Sequence, residues 1–350
     1  MINEPLMIKN ITIKNRIAVP PMVCFCWAGD DGFVTEKHIE HYTELACGGA
    51  GLIIVEATAV SKRGRLHESE LGLWEDAQIE GMKKIVDAIH ENGAKAFVQL
   101  VHAGGNGIDL HADAPSTMPY HDGITGHEMT LDAIDKLRAD FAAAALRAKA
   151  AGFDGVELHG CHSYLLSCFF SPICNKRIDD YGKDKALITK QIFSDIRAAC
   201  GKDFIVGIRL AAFEPTLADG LRNANEIAAL TDFFDISYGV DSQAEKEDGF
   251  PCSYAVYGAM RIKKEHPDIP VFGVHDINSA ADVENALGTG IDMADVGKAH
   301  LVDPGFAGHV INGEAYGQCL HCKSYCRWNP PTMADEKAIC PGRVRFLSSK

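Results

Sequence analysis

The sequence predicts an α/β chain folded as a closed (β/α)8 TIM barrel with a short C-terminal cysteine-rich tail. Three observations point there. Eight short apolar runs of strand length recur along about 310 residues, each followed by a helix-like stretch or a loop leading to one. A total of 350 residues is an ordinary length for one such barrel. Near Gly317 the alternation stops, and four of the twelve cysteines lie beyond it. A doubly wound open sheet is the rival, since periodicity does not separate closed from open sheets. The count of eight favours the barrel.

The first strand is expected at 16–20 and the first helix at 36–47. A strand at 51–56 is followed by a helix at 79–92, stopped by Gly93, and then by a strand at 94–100. Residues 101–130 are rich in Gly, His, Asp and Pro and lack helical spacing. They follow the third strand, so in a barrel they cover the C-terminal face, where active sites are built. Apolar residues at 131, 134, 137, 141 and 145 mark one face of a helix over 131–151, ended by Gly152. Further strands are expected at 153–158, 204–210, 233–237, 270–273 and 293–297, with helices near 184–200, 224–231, 254–266 and 279–287. Ser279-Ala-Ala-Asp282 reads as a capping box. The barrel domain is set at 1–316 and the tail at 317–350.

Composition narrows the function. The chain is 47% hydrophobic and 23% charged, the balance of a globular protein. Its formal charge of −14, with basic residues clustered no further than Lys83-Lys84 and Lys263-Lys264, argues against a nucleic-acid partner. No uncharged apolar run approaches the roughly 18 residues of a membrane span. The N-terminal stretch lacks a secretory pattern. A cytoplasmic location and mostly reduced thiols are therefore expected.

Several polar residues fall where strands should end. Glu157-Leu-His159-Gly-Cys-His162-Ser-Tyr164 brings two imidazoles and a phenol from one strand end. The imidazoles can donate to one oxygen and the phenol can offer a proton. A zinc site at His159-x-x-His162 is the alternative, without a carboxylate motif to complete it. Gln99 closes the third strand. Arg209 closes the fifth and needs an anionic partner, either a neighbouring Asp or Glu or an electron-rich cofactor ring. Gly273, Gly297 and Lys298 end the last two strands, where loops commonly hold a phosphate. No dinucleotide fingerprint or Walker loop competes. In the tail, Cys319, Cys322, Cys326 and Cys340 fit three corners of a cubane plus a returning fourth ligand. Zinc, free thiols or disulfides are the alternatives.

Together these residues resemble the Old Yellow Enzyme family of FMN-dependent barrels, on the side of the 2,4-dienoyl-CoA reductase and trimethylamine dehydrogenase branch. The likeness covers nearly the whole chain. It is carried by Lys14-Asn-Arg-Ile-Ala-Val-Pro-Pro-Met22, Gly51-Leu-Ile-Ile-Val-Glu-Ala57, Gln99-Leu-Val-His-Ala-Gly104, the His159/His162/Tyr164 cluster, Phe169-Phe-Ser-Pro172 and Asp295-Val-Gly-Lys298. The resemblance implies FMN, with Pro21, Met22, Ala57 and Gln99 around its ring and Arg209 at the N1/O2 edge. Gly273, Gly297 and Lys298 would sit by its phosphate. It implies a [4Fe–4S] cluster in the tail and an ene-reductase acting on a small unsaturated carbonyl or thioester. His159 and His162 would then bind the activating oxygen, and Tyr164 would be the proton donor.

The rival within the family is an amine or C–H dehydrogenase; from another class, a non-catalytic electron-transfer subunit. Relatives with the cluster often continue into nucleotide-binding domains, so electrons are expected through the cluster from a flavoprotein or ferredoxin-like partner. Direct use of NAD(P)H is the other route. The sequence carries no oligomer signal, and homo-oligomerisation stays open.

Overall fold

The computed structural model describes residues 1–120, 123–239, 243–322, 326, 328 and 340–349. The chain opens with a hairpin, β1 (Leu6–Ile8) and β2 (Ile11–Ile13), and then enters β3 (Ile17–Val19). Helix α1 (Glu36–Cys47), β4 (Leu52–Ala59), α2 (Ile79–Glu91) and β5 (Lys95–Val101) follow. The long connection after β5 carries a small sheet of β6 (Asp113–Ala114), β7 (Met118–Pro119) and β8 (Thr125–Glu128) before α3 (Leu131–Ala151). After β9 (Gly155–Gly160) come α4 (Leu165–Phe170), α5 (Asp180–Lys183) and α6 (Leu187–Cys200). The remaining barrel elements are β10 (Ile205–Ala211), α7 (Leu217–Ile227), β11 (Phe234–Ser237), α8 (Tyr254–Glu265), β12 (Val271–Gly273), α9 (Ala280–Gly288) and β13 (Met293–Asp295). Short helices α10 (Lys298–Val302), α11 (Phe306–Asn312) and α12 (Pro341–Leu347) close the described chain.

Strands β3, β4, β5, β9, β10, β11, β12 and β13 pair in that order, all in parallel, and β13 returns to β3. The sheet is closed, and all eight expected strands are in it. The reason is in their composition: every residue of β4 and β10 is buried, as parallel strands covered on both faces require. Besides short extra elements in the loops and tail, two differences from expectation bear on the barrel. The helix expected at 224–231 is α7, which begins at Leu217 behind a Thr216/Asp219 capping box. The N-terminal hairpin was not expected at all.

Alternation along the strands stacks the barrel interior in layers. At the N-terminal end, Phe97, Ile205, Phe233, Phe272 and Met293 join Leu6, Ile8 and Ile13 of the hairpin in one apolar cluster. The rings of Phe97 and Phe233 stack at 5.2 Å, and those of Phe233 and Phe272 at 4.9 Å. Burying each ring contributes about 1.5–3 kcal/mol. Two residues further along their strands stand Gln99 and Asp235. With Glu157 and Asp295 they form a polar layer above the aromatic floor. One step higher on their strands are His159 and Ser237, facing the C-terminal mouth, and Arg209, paired with both His159 and Asp235, joins the two levels.

Gly207 makes the floor fit. A Cβ there would clash with Cε1 of Phe233, a ring already pinned between two others. Gly207→Ala is therefore expected to cost about 1–3 kcal/mol by overpacking. Urea denaturation should also show that adding Phe233→Leu recovers part of the loss, the coupling expected of residues in contact.

Candidate active site

The C-terminal ends of the strands surround a cavity of about 410 Å³. Ten of the eleven residues expected around a cofactor and substrate line it: Pro21, Met22, Ala57, Gln99, His159, His162, Tyr164, Arg209, Gly297 and Lys298. The eleventh, Gly273, is buried at the end of β12, and its missing side chain would point at Ile291, Val256 and Ala259. Its neighbour Val274 takes the place on the cavity wall. His102 lies apart, against Gly64 and 3.7 Å from Asp113.

His159 leaves β9 directly into a sharp turn, in which His162 and Ser163 have φ of 61° and 57°. The turn folds His162 back, so that its ring lies 5.1 Å from His159 edge-to-face. The Tyr164 ring is 4.8 Å from His159 and 6.5 Å from His162. Three further residues complete this end. Nε2 of His162 is 2.8 Å from Oγ of Ser237, which in turn is 3.2 Å from Nε2 of His275. Sγ of Cys161 is 3.6 Å from Nδ1 of His159. Burial, with the Arg209 charge behind it, lowers the pKa of His162 to about 3. Burial also lowers His159, with the neighbouring His162 next in weight. Both rings are neutral at pH 7, so each has one N–H to give.

Under this cluster lies an ion-pair layer. Nε of Arg209 is 3.2 Å from Oδ2 of Asp235, close but not aligned as a hydrogen bond. Burial works against the guanidinium charge, and Asp235, Cys161, Glu157 and Asp295 outweigh it, so Arg209 stays charged. Burial foremost, then the charge of Asp235, raises both Glu157 and Asp295. Asp235 faces both of these carboxyls. Such contacts bond only when one partner keeps a proton, which is the state burial favours. Nε2 of Gln99 donates to Oε1 of Glu157 at 2.7 Å, which fixes the amide at the cavity wall. The anionic partner of Arg209 inside the protein is thus Asp235, one of the two sources the sequence left open.

A second buried carboxyl network supports Met22 and Ala57. Glu56 accepts from the Cys24 N–H and the Tyr42 hydroxyl, each at 3.0 Å, and burial raises its pKa to about 7. The fold therefore binds a proton that the unfolded chain releases near pH 4.5, and stability falls as pH rises from about 4.5 to 7. In Glu56→Gln that loss should disappear. Its stability relative to the unsubstituted protein should grow by about 3 kcal/mol across this window, read by urea denaturation at several pH values.

The tail returns to the same mouth. Cys326 and Trp328 line the cavity, and the Trp328 ring packs on Trp27 at 5.9 Å and on His41 at 5.2 Å. Cys340 is buried at the start of α12, which is tied to α1 by Arg343 and Glu44 at 2.8 Å. Burial, and more weakly Cys326 and Cys319, raise the Cys340 thiol. Cys319 and Cys322 are half-buried.

A search of solved structures places this architecture among flavoproteins. The old yellow enzyme homologue from Zymomonas mobilis superposes with a TM-score of 0.79 at 26% identity, over 97% of this chain and 98% of that one. A 2-naphthoyl-CoA reductase complex gives 0.81 at 25% identity, over 89% of this chain and 52% of that one. The 6-hydroxypseudooxynicotine amine oxidase from Pseudomonas geniculata N1 gives 0.78 at 26%, over 89% and 49%. This chain thus spans about half the length of the latter two proteins. Among the described residues no helix is long and apolar enough to cross a membrane. The family model for NADH:flavin oxidoreductase / NADH oxidase matches residues 1–315, nearly the whole barrel. The chain belongs to that family, a flavin-dependent oxidoreductase on the Old Yellow Enzyme barrel.

Proposed function

We propose that this protein is an FMN-dependent ene-reductase for alkenes conjugated to a carbonyl or thioester. One observation carries the reading: two neutral imidazoles and a phenol share one cavity with a buried guanidinium, an amide and a lysine. The cavity suits the cofactor. Its volume lies in the range of small-molecule sites. Arg209 has a buried Nε without a hydrogen-bond partner, and Gln99 is fixed beside it. Lys298 and Gly297 line the same cavity, and their charge and backbone suit a phosphate.

When bound, FMN would supply a hydride from its N5 to the β-carbon of the substrate. His159 and His162 would bind the carbonyl oxygen. With the Cys161 thiol donating to Nδ1, the His159 proton would sit on Nε2; with the Ser237 hydroxyl donating to Nε2, the His162 proton would sit on Nδ1. Each ring is thereby set, before substrate arrives, to present a donor to the oxygen on which negative charge grows. Tyr164, kept protonated by burial, would give its proton to the α-carbon.

The tail thiols suit a soft cluster. Three of them fall within the eight residues 319–326 and the fourth returns at 340, a spacing that suits the corners of a [4Fe–4S] core. Cys319, Cys322, Cys326 and Cys340 would hold it, with Cys326 at the cavity wall as the shortest route for electrons. A flavoprotein or ferredoxin-like donor would then load the cluster, with NAD(P)H acting directly on the flavin as the competing supply.

The test is an anaerobic absorption spectrum of reconstituted protein with flavin, iron and sulfide analysis, followed by substrate addition. One FMN and four irons per chain are expected, with enone oxidising the pre-reduced flavin. Flavin reduction by an amine would favour the dehydrogenase reading, as for the amine oxidase neighbour. Failure to take up flavin would overturn the proposal.

A further inference from the structure

The imidazole pair has a third donor that the proposed chemistry uses only to orient a ring. Nitrogen and sulfur atoms of His159, Cys161 and His162 all lie within 4.8 Å of one another. We infer that these three residues form a binding site for a zinc-type ion, whose occupancy shuts down the carbonyl clamp.

The geometry is close to what such an ion imposes. Zn–N and Zn–S bonds at a tetrahedral angle space the two atoms by about 3.5 Å. Sγ of Cys161 and Nδ1 of His159 are 3.6 Å apart already. The two left-handed residues after Cys161 turn His162 back toward the same point, so its ring needs only to exchange Ser237 for the ion. The ligand set of two imidazoles and one thiolate suits zinc or cobalt and not magnesium or calcium. The fourth position would face the cavity and hold water. This completes the His-x-x-His pair that lacked a carboxylate in the sequence: the completing ligand is the cysteine between the two histidines.

Binding is an exchange of a proton for a metal. The ion takes the place between Sγ and Nδ1, the thiol proton leaves to solvent, and no electrons move. Ligation through Nδ1 leaves the His159 Nε2–H in place, but the His162 ring leaves Ser237 and the water of the ion stands in the cavity, so the two donors no longer converge on a substrate oxygen. Loss of turnover rests on the proposed role of His159 and His162; binding of the ion does not.

The experiment uses the flavin- and cluster-loaded protein after brief chelation, with Zn²⁺ measured by calorimetry and Co²⁺ by its thiolate charge-transfer absorption. Cys161→Ala is compared with the unsubstituted chain, and Cys161→Ser serves as a second variant that keeps the side-chain shape. Because tail thiols also bind metals, the difference between proteins is the readout. One site is expected to vanish or weaken by at least about 100-fold in both variants, together with its share of the cobalt band. Zinc inhibition, scaled to each protein's own metal-free rate, should vanish with it. Equal stoichiometry, affinity and cobalt spectrum in all three proteins would overturn the site. A site lost in the variants but without effect on turnover in the unsubstituted protein would keep the metal site and reject the clamp.

Discussion

Tyr164→Phe is expected to slow enone reduction by about 10²–10⁴-fold while leaving flavin binding intact. The phenol is buried, and burial holds it protonated, so at neutral pH it is a proton source and not a base. Its ring sits 4.8 Å from His159, beside the place where the carbonyl oxygen would be held. Removing the hydroxyl leaves the ring packing and removes only the transferable proton. Stopped-flow spectra should therefore separate two half-reactions: reduction of the bound flavin unchanged, oxidation by enone slowed. His159→Ala should slow the same half-reaction by about 10²–10³-fold, because one preset donor to the oxygen is gone. The two losses should combine to less than their product, since both groups serve one transition state. An unchanged rate in both variants would support the electron-transfer subunit instead.

Arg209→Met is expected to cost about 3–5 kcal/mol of stability and most of the affinity for FMN. The guanidinium is the one cation set among Glu157, Asp235 and Asp295, all fully buried in the described barrel interior. Without it these carboxyls can avoid an uncompensated charge only by keeping protons. Their pKa values should rise further, so the folded state binds more protons than the unfolded chain over a wider range. The deficit should then be larger at pH 8 than at pH 5. Urea denaturation at both values, with and without FMN, checks the sign. A deficit that shrinks with rising pH would show that the acids do not depend on Arg209.

Much of this was legible in the residues. Buried parallel strands are continuous apolar runs, and eight of them announced the barrel. Polar residues at the strand ends announced the cavity, because a closed barrel has one functional rim. What escaped reading has physical reasons. The hairpin strands 6–8 and 11–13 are too short for alternation to show, and their turn at Lys9 uses a left-handed non-glycine residue. Helix α7 was misplaced because Gly220 and Asn223 occupy its buried face, which breaks the apolar spacing. Ser237 stands 75 positions from His162 and 38 from His275; the parallel order of β9, β10, β11 and β12 brings the three together. The acids at 235 and 295 carried a signal in their place inside apolar strands, where a lone charge needs a partner. Gly273 was read as a backbone cradle; that its bare Cα also faces Ile291, Val256 and Ala259 depends on how α8 packs, which the residues alone do not show.

The aromatic floor and the hairpin beneath it give the barrel a blind bottom. Among the described residues the cavity opens at the C-terminal mouth, so small molecules that bring reducing equivalents and those that collect them would share that doorway. They must take turns, which predicts parallel double-reciprocal plots for any soluble donor that reaches the flavin itself. A donor working through the tail, with Cys326 set in the wall of that doorway, need not queue at all.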